Sequence, residues 1–277
     1  MTKTIRSASI ADGIWQLSDV LDDRCYLVVG ERRALLVDAM AGYGDLRPVV
    51  AKICDLPLTV VLTHNHYDHS GGTYWFDEAL VSEPDLPLIA GERALAEQAY
   101  ETLVADGTFA RDVPWSFSQG SAPSLSVVRD GDVFDLGGLT VEAVSLPGHT
   151  AGSMGYLVRE RRILLSGDAV TPIMCIFFEE SLPVETYRKT LAKMSELPFD
   201  EFWTGHHGVG LAREELMGSF DACAAFSEGD RGHAWQHTIL PQFEGTLHFF
   251  SGTDAESTDF RAIITRGLPP RRKRKRV

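Results

Sequence analysis

Residues 62–72 read Leu62-Thr63-His64-Asn65-His66-Tyr67-Asp68-His69-Ser70-Gly71-Gly72. Three histidines and one aspartate lie within six positions, directly after an apolar run and directly before a glycine pair. Neutral imidazole nitrogen and carboxylate oxygen are ligand types that suit zinc, iron or manganese. The stretch therefore predicts a metal site rather than a polar surface loop that happens to be rich in histidine.

The apolar run at residues 58–62 is short and rich in β-branched side chains, which predicts a buried strand. Ligands at the end of such a strand emerge at the rim of a sheet, where α/β proteins commonly bind ligands. In extended chain His64 and His66 point the same way, so both imidazoles can reach one ion. Asp68 and His69 follow as the chain turns, and adjacent residues in a turn can diverge toward a second ion.

Three further apolar runs end on ligand-type side chains, and each of these ends is followed by a turn. The residues at these three strand ends are His149, Asp168 and the pair His206-His207. If the four strands belong to a layered sheet structure, their ends meet at one edge, and the sequence then predicts a site with more than one metal ion.

This ordered set resembles the metallo-β-lactamase superfamily over about residues 13–210. The matching motifs are His64-x-His66-x-Asp68-His69, Pro-Gly-His149, Ser-Gly-Asp168 and Gly-His206, and Asp38 matches the early aspartate of the family. The resemblance implies an α/β (α+β) fold, namely a four-layer αββα sandwich of two mixed β-sheets flanked by helices. The order of strands and helices along the chain agrees with that architecture.

The resemblance also implies two divalent metal ions, with zinc favoured over manganese or iron. His64, His66 and His149 would hold the first ion and Asp68, His69 and His206 the second, with Asp168 bridging the two. Asp38 would lie behind the ligands. His207 is the alternative to His206, and the family's usual Gly-His motif favours His206. Ile173, Met174, Phe177 and Phe178 follow Asp168 and are expected either in an apolar substrate wall or in the core, and core packing is favoured.

The resemblance further implies a metal-dependent hydrolase in which a metal-bridging hydroxide attacks a carbonyl carbon and Asp68 acts in catalysis. Metal coordination lowers the pKa of water to about 7, so a side-chain nucleophile is not required. Neither Ser153 nor Ser166 lies in a Gly-x-Ser-x-Gly turn. β-Lactam hydrolases of this superfamily usually have cysteine or serine where this chain has Asp168. The aspartate therefore favours the glyoxalase II and lactonase-like branches, which cleave a carboxylic ester, thioester or lactone.

Three other functions stay open, because the ligand types fit each of them. They are a mononuclear-iron persulfide dioxygenase, a β-lactam hydrolase and a metal-binding protein without turnover. His233 and His237 near the C-terminus are either substrate contacts or exposed side chains, and exposure is favoured.

The chain has 277 residues, a formal net charge of −13 and a pI near 5.1. An acidic body argues against nucleic-acid binding apart from the basic run at the C-terminus, for which a nucleic-acid-binding role stays open. We expect a small-molecule substrate. Residues 271–276 are all basic, so we expect one catalytic domain at residues 1–268 and a disordered basic tail at 269–277. Four scattered cysteines and the lack of a long apolar segment favour a cytoplasmic protein outside the membrane.

Helical spacing of apolar residues predicts helices at about residues 44–53, 92–105, 184–197 and 212–226. Residues 86–90 are expected to form a strand, and residues 246–251 and 260–265 are strand-like. Residues 106–122 are expected to form a loop that either overhangs the site or packs on the surface.

Overall fold

The computed structural model describes residues 5–227, 232–251 and 260–266. Its strands, in chain order, are β1 (Arg6–Ala11), β2 (Ile14–Ser18), β3 (Arg24–Val29), β4 (Ala34–Val37), β5 (Leu58–Val61), β6 (Glu78–Ser82), β7 (Ser124–Val128), β8 (Val133–Asp135), β9 (Thr140–Ser145), β10 (Met154–Val158), β11 (Ile163–Gly167), β12 (Ile173–Ile176), β13 (Glu201–Thr204), β14 (Leu211–Ala212), β15 (His233–Gln236), β16 (Glu244–Ser251) and β17 (Arg261–Arg266). Its helices are α1 (Arg47–Ile53), α2 (Tyr67–Ser70), α3 (Ile89–Ala105), α4 (Ser116–Gln119), α5 (Val184–Glu196) and α6 (Leu216–Ser227). The predicted tail at 269–277 and the domain boundary at 268 lie outside the described residues.

Two mixed sheets form the centre of the fold. The first has the order β1-β2-β3-β4-β5-β6-β7, antiparallel up to β4 and parallel from β4 to β7. The second has the order β14-β13-β11-β10-β9-β8, in which β11 and β13 are parallel and the other pairs antiparallel. Both sheets agree with the fold class that the sequence predicts.

Apolar side chains point alternately to the two faces of each sheet, and this explains why the two sheets stack. In β3, Val28 joins the apolar cluster between the two sheets, while Leu27 joins the cluster that Val50 of α1 covers. Successive side chains of a strand point to opposite faces, so a strand that is apolar on both faces must be covered on both sides. In β10, Tyr156 and Leu157 divide between the inner and outer clusters in the same way.

Helix α5 covers the outer face of the second sheet. Its buried residues Tyr187, Leu191 and Met194 share one side of the helix and pack against Leu164 of β11. This is the side that their spacing in the sequence predicts. With helices on both outer faces, the predicted four-layer αββα sandwich is confirmed.

Hydrogen bonds tie the two sheets together at the end where the predicted ligands lie. The Tyr156 hydroxyl donates to the Leu62 carbonyl at 2.8 Å, and the Tyr26 hydroxyl donates to the Thr204 carbonyl at 2.6 Å. The backbone N–H of Met154 also donates to the Thr63 carbonyl at 2.7 Å. These bonds join β10 to the end of β5 and β3 to the end of β13, and in each case the two strands belong to different sheets.

Residues 86–90 do not form the predicted strand. The strand in this part of the chain is β6, which ends at Ser82, and α3 begins at Ile89. Pro84 and Pro87 lack backbone donors for a sheet. Between them the buried Asp85 carboxylate accepts from the backbone N–H of Gly152 at 2.9 Å, which fixes the chain in a turn.

Two predicted helices begin later than expected. Helix α1 begins at Arg47, with Pro48 in its first turn, a position that proline favours. Helix α6 begins at Leu216, because Leu211 pairs with Phe202 as part of β14. The predicted loop at 106–122 contains the short helix α4. Trp115 and Phe117 of this segment are buried in an aromatic cluster. Of the two predicted alternatives, the segment therefore follows the one in which it packs on the surface of the protein.

A third sheet, of order β12-β17-β16-β15, has no counterpart in the sequence prediction. The strand-like runs near the C-terminus form β16 and β17, and β17 pairs in parallel with β12. This pairing brings residues 232–251 beside the segment that follows Asp168. Among the described residues, no helix is both long enough and apolar enough to cross a membrane.

Candidate metal centre

The seven predicted ligands converge where the strands of the two central sheets end. Their side chains form three overlapping groups, and the ligand atoms of each group lie within 4.8 Å of one another. The groups are His64 with His66 and His149, His64 with His69 and Asp168, and Asp68 with His69 and His206. We call the first of these groups the first triad and the last the second triad.

Three imidazole nitrogens face one another in the first triad. Nε2 of His64 lies 3.1 Å from Nδ1 of His66, and Nε2 of His149 lies 2.9 Å from the same atom. Nitrogens bound to one tetrahedral zinc ion at about 2.1 Å would lie about 3.4 Å apart. The three nitrogens are therefore spaced for a common ion, with a small outward adjustment.

The second triad combines one carboxylate with two imidazoles. Oδ2 of Asp68 lies 3.3 Å from Nε2 of His206 and 3.8 Å from Nε2 of His69. These separations bracket the spacing of about 3.4 Å expected for ligands of one tetrahedral ion.

Asp168 lies between the two triads. Its Oδ1 is 3.6 Å from Nε2 of His69, while its Oδ2 is 3.3 Å from Nε2 of His206 and 3.8 Å from Nε2 of His149. One carboxylate thus reaches ligands of both groups. This is the placement that a bridging ligand requires.

Two buried atoms of this cluster support the fit to metal. Nε2 of His69 and Oδ1 of Asp168 are both buried and have no hydrogen-bond partner among the residues that the structure describes. A buried polar atom without a partner costs about 1–3 kcal/mol, so such atoms need an explanation. A cation between these residues would satisfy both atoms, and the donor set of imidazole and carboxylate suits a divalent ion.

Asp38 and Thr63 orient two of the ligands from behind. The Nδ1–H of His69 donates to Oδ2 of Asp38 at 2.9 Å. The Thr63 hydroxyl donates to the same carboxylate at 2.8 Å and accepts from Nδ1–H of His64 at 3.0 Å. In each imidazole Nδ1 is thus engaged by an outer oxygen, so Nε2 is the nitrogen that faces the centre.

The backbone at Asp38 is left-handed, with φ 64°. Non-glycine residues rarely adopt this conformation, and aspartate is among those that tolerate it best. The conformation aims the carboxylate at the end of β5, where the backbone N–H of Thr63 donates to Oδ1 at 2.7 Å. The position of Asp38 behind the ligands agrees with the sequence prediction.

The other two ligands of the first triad are held by groups that the sequence reading did not identify. Nε2–H of His66 donates to Oε1 of Glu180 at 2.8 Å, and Nδ1–H of His149 donates to the Cys175 carbonyl at 2.7 Å. Burial raises the pKa of Glu180, but the hydrogen bond and charge of His66 outweigh it and lower this pKa to about 2. Glu180 is thus an ionised acceptor that fixes which nitrogen of His66 faces the centre.

The pKa shifts of the histidines run in both directions. Burial lowers the pKa of His66, but the hydrogen bond to Glu180 and nearby carboxylates outweigh it and leave this pKa raised. Burial lowers the pKa of His64, and burial together with the charge of His66 lowers the pKa of His149 to about 4. Burial acts in the same direction on His69 and His206, but Asp168 and its neighbouring carboxylates outweigh it and hold both pKa values well above 6.5. The second triad therefore lies in a strongly anionic field that attracts a cation.

His206, rather than His207, lies with the other ligands. The side chain of His206 is 40% exposed and its Nδ1–H donates to Oδ1 of Asp23 at 3.4 Å. His207 is buried, and its backbone N–H donates to the Thr204 hydroxyl at 3.0 Å. The structure thus separates two neighbouring histidines that the sequence left as alternatives.

Phe178, rather than Phe177, contacts the centre. The ring of Phe178 lies 4.2 Å from that of His66 and 5.4 Å from that of His149, measured between ring centroids. Phe177 is buried behind it at 4.1 Å. The sequence offered no signal to distinguish two adjacent phenylalanines, nor did it mark Glu180 or Asp23.

The family model described as the metallo-beta-lactamase superfamily matches residues 20–208. This span is more than half of the sequence, and the chain belongs to that superfamily. Membership implies divalent metal binding, in agreement with the clustered ligand-type side chains.

Individual relatives and solved structures extend this result. The chain is 29% identical over 240 residues to the acyl-coenzyme A thioesterase MBLAC2 of Bos taurus, an alignment that covers 78% of this chain and 81% of that protein. It is 28% identical over 208 residues to the hydroxyacylglutathione hydrolase of Cronobacter sakazakii, covering 74% and 64%. A solved metallo-beta-lactamase family protein from Thermus thermophilus superposes with a TM-score of 0.58 at 21% identity, covering 79% and 81%. This last likeness supports the fold alone.

Proposed function

We propose that this protein is a binuclear metallohydrolase that cleaves a carboxylic thioester or ester of a small-molecule substrate. The observation that carries the proposal is the position of Asp168 between two complete triads. The name of the MBLAC2 relative favours a thioester over a lactone or a β-lactam.

The two triads would hold two divalent ions, most readily zinc, with manganese or iron as alternatives for the same donors. When bound, such ions lower the pKa of a water molecule and polarise a carbonyl group. Asp168 would fix their separation, and Asp38 and Glu180 would keep the imidazoles in the tautomers that bind metal.

Asp68 is the side chain to which we assign a direct part in the reaction. Burial raises its pKa, but the charges of His69 and His206 outweigh burial and leave the pKa below its ordinary value. Asp68 is thus ionised at neutral pH, and it can accept a hydrogen bond from the attacking water and orient it toward the carbonyl carbon.

Nearby hydroxyl and thiol groups are poorly suited to act as nucleophiles. Burial raises the pKa of Cys175 to about 12, so its thiol is protonated at neutral pH. The Ser166 hydroxyl donates to the Trp203 carbonyl at 3.1 Å, and the Ser153 hydroxyl contacts that of Thr150 at 2.9 Å. Attack by water is therefore favoured over a covalent intermediate.

The test combines metal analysis with a substrate panel. Protein purified without added metal is analysed for zinc, manganese and iron, and is then assayed with thioesters, esters, lactones, β-lactams and glutathione persulfide. We expect about two equivalents of metal and hydrolysis of thioesters or esters. Asp68→Ala should abolish this hydrolysis, and Asp55→Asn, at an exposed carboxylate, should leave it unchanged. One equivalent of iron, with oxygen consumed on glutathione persulfide, would instead establish the dioxygenase alternative.

A further inference from the structure

Four aromatic side chains from two distant parts of the sequence form a continuous cluster beside the first triad, with Phe177 buried behind the other three. Phe178 contacts His66, Phe177 lies 4.1 Å from Phe178, and Trp235 lies 5.0 Å from Phe177. Phe243 closes the group at 5.4 Å from Phe178 and 5.9 Å from Phe177, all measured between ring centroids. We call these four residues the aromatic wall. Trp235 and Phe243 lie beyond residues 20–208, which the family model matches.

His237 lies on the same hairpin as Trp235 and Phe243. Its ring is 5.9 Å from that of Trp235 and 6.4 Å from that of Phe243. Its Nδ1 accepts hydrogen bonds from the backbone N–H groups of Ile239 and Leu240, both at 3.1 Å. A ring nitrogen that accepts cannot carry the proton, so the neutral ring carries it on Nε2 and offers one N–H donor.

The half-buried ring of His237 lies at the edge of the aromatic wall, beside Trp235 and Phe243. The wall itself reaches the first triad through the contact of Phe178 with His66. An N–H donor is thus held beside an apolar surface that borders the metal ligands.

The hairpin that carries these residues is anchored to the body of the protein. The side-chain amides of Gln98 in α3 and Gln242 donate to each other, at 3.1 and 2.8 Å. The backbone N–H of His237 donates to the Phe243 carbonyl at 2.9 Å. The amide pair and the pairing of β16 with β17 tie the hairpin to the body, and the His237–Phe243 bond closes its loop. The wall is therefore formed before any substrate arrives, and binding does not have to order it.

We propose that the aromatic wall binds an apolar acyl group of the substrate and that His237, at the edge of the wall, donates a hydrogen bond from Nε2 to a polar group of the same substrate. This inference rests on the proposed thioester or ester hydrolysis and adds the class of acyl group to it. Aromatic rings next to a metal ligand favour a long alkyl or aryl acyl chain over a short or charged one, because burial of apolar surface stabilises the complex.

The test uses metal-loaded, full-length protein and a series of N-acetylcysteamine thioesters from acetyl to decanoyl. Wild-type kcat/KM should rise by about threefold per methylene until the wall is covered. Trp235→Ala and Phe178→Leu should flatten this rise, so that kcat/KM falls most for the decanoyl thioester. The matched control is Phe249→Ala, on β16 of the same sheet but 43% exposed and packed on Phe260 instead. Equal kcat/KM for acetyl and decanoyl thioesters in wild type would overturn the proposal.

His237→Ala should lower kcat/KM by tenfold or more for every acyl length, whereas His237→Gln, which keeps an N–H donor, should recover part of it. The metal content should not change in either variant. If His237→Ala leaves kcat/KM unchanged, or alters only the dependence on chain length, the assigned hydrogen bond is wrong.

A binding measurement separates this inference from the proposed function. Decanoate and acetate are titrated into the metal-loaded protein by calorimetry, without any turnover. Saturable binding of decanoate at least tenfold tighter than of acetate, and weakened by Phe178→Leu with an unchanged circular dichroism spectrum, supports the wall even if no thioester is cleaved. Thioester hydrolysis without preferential binding of decanoate would sustain the proposed function and refute the wall.

Discussion

His66 and Glu180 form a hydrogen-bonded pair of 2.8 Å although 114 positions separate them in the chain. The bond occupies Nε2 of His66 and leaves Nδ1 to face His64 and His149. Glu180, which follows Asp168 in the chain, therefore determines which nitrogen of His66 faces the metal site.

Removing this pair tests its part in metal binding. We expect Glu180→Ala to weaken metal binding to the first triad by about 10- to 100-fold, the usual cost of losing such an outer partner. Competition with a chelator of known affinity measures the change. The control is Glu179→Ala, which alters the adjacent, exposed carboxylate. Equal metal affinities of the two variants would show that Glu180 does not position His66.

Asp38→Asn tests the support behind the second triad. Asparagine tolerates the left-handed backbone at this position, so the change mainly removes hydrogen-bond acceptors. His69 and Thr63 both donate to Oδ2 of Asp38, and an amide nitrogen cannot replace that oxygen. We expect a loss of about 3 kcal/mol in the free energy of unfolding by urea, in the range found for broken buried charged pairs. We also expect loss of one equivalent of metal. A variant with wild-type stability and two equivalents would contradict this role.

The stability of the metal-free protein should pass through a maximum as pH changes. His69 and His206 have raised pKa values in the folded state, so their contribution is present below the unfolded value of about 6.5 and is lost as pH rises above it. His64 and His149 have lowered pKa values, so their neutral forms favour folding, and stability is lost as pH falls below about 6.5.

Urea unfolding in the presence of a chelator at pH 5, 6.5 and 8 measures this profile. We expect the highest free energy of unfolding near pH 6.5. Zinc should remove the decline toward pH 8, because metal binding requires deprotonated imidazoles and strengthens as pH rises. A metal-free protein whose stability rises steadily from pH 6.5 to 8 would be inconsistent with the raised pKa values of His69 and His206.

Gly205 allows the chain to pass closely behind the centre. A β-carbon at this position would contact the His69 ring and lie 2.6 Å from Oδ1 of Asp168. We therefore expect Gly205→Ala to displace these ligands and to lower both metal content and kcat by at least tenfold. Gly91→Ala is the matched change in open space on α3 and should raise stability by up to about 1 kcal/mol. Full activity of Gly205→Ala would show that the ligands can move aside.

The sequence predicted those parts of the site that depend on short-range patterns. His64 and His66 are two apart after an apolar strand, and Asp168 and His206 each follow a strand end, so local patterns marked them as candidate ligands. Their grouping, and the choice of His206 over His207, came from the resemblance to the metallo-β-lactamase superfamily. Residues 86–90 were wrongly assigned to a strand, because their apolar character outweighed the two prolines and the buried Asp85.

The parts that the sequence did not predict depend on contacts between distant segments. The His66–Glu180 bond is one of them, and the parallel pairing of β12 with β17 is another. That pairing brings Trp235 and Phe243 to Phe177, and no local pattern marks any of the three as neighbours. Preferences of single residues and short periodicities do not specify such long-range pairs.

The most direct test of the central claim is the zinc stoichiometry of wild-type protein beside variants of each triad. Metal-free protein is titrated with zinc against a chromophoric chelator, and the bound equivalents are counted. We predict two equivalents of bound zinc for wild type and one for either His149→Ala or His206→Ala, with thioester hydrolysis lost in both variants. One equivalent in wild type, retained without loss in His206→Ala, would contradict a centre built from two triads that share Asp168.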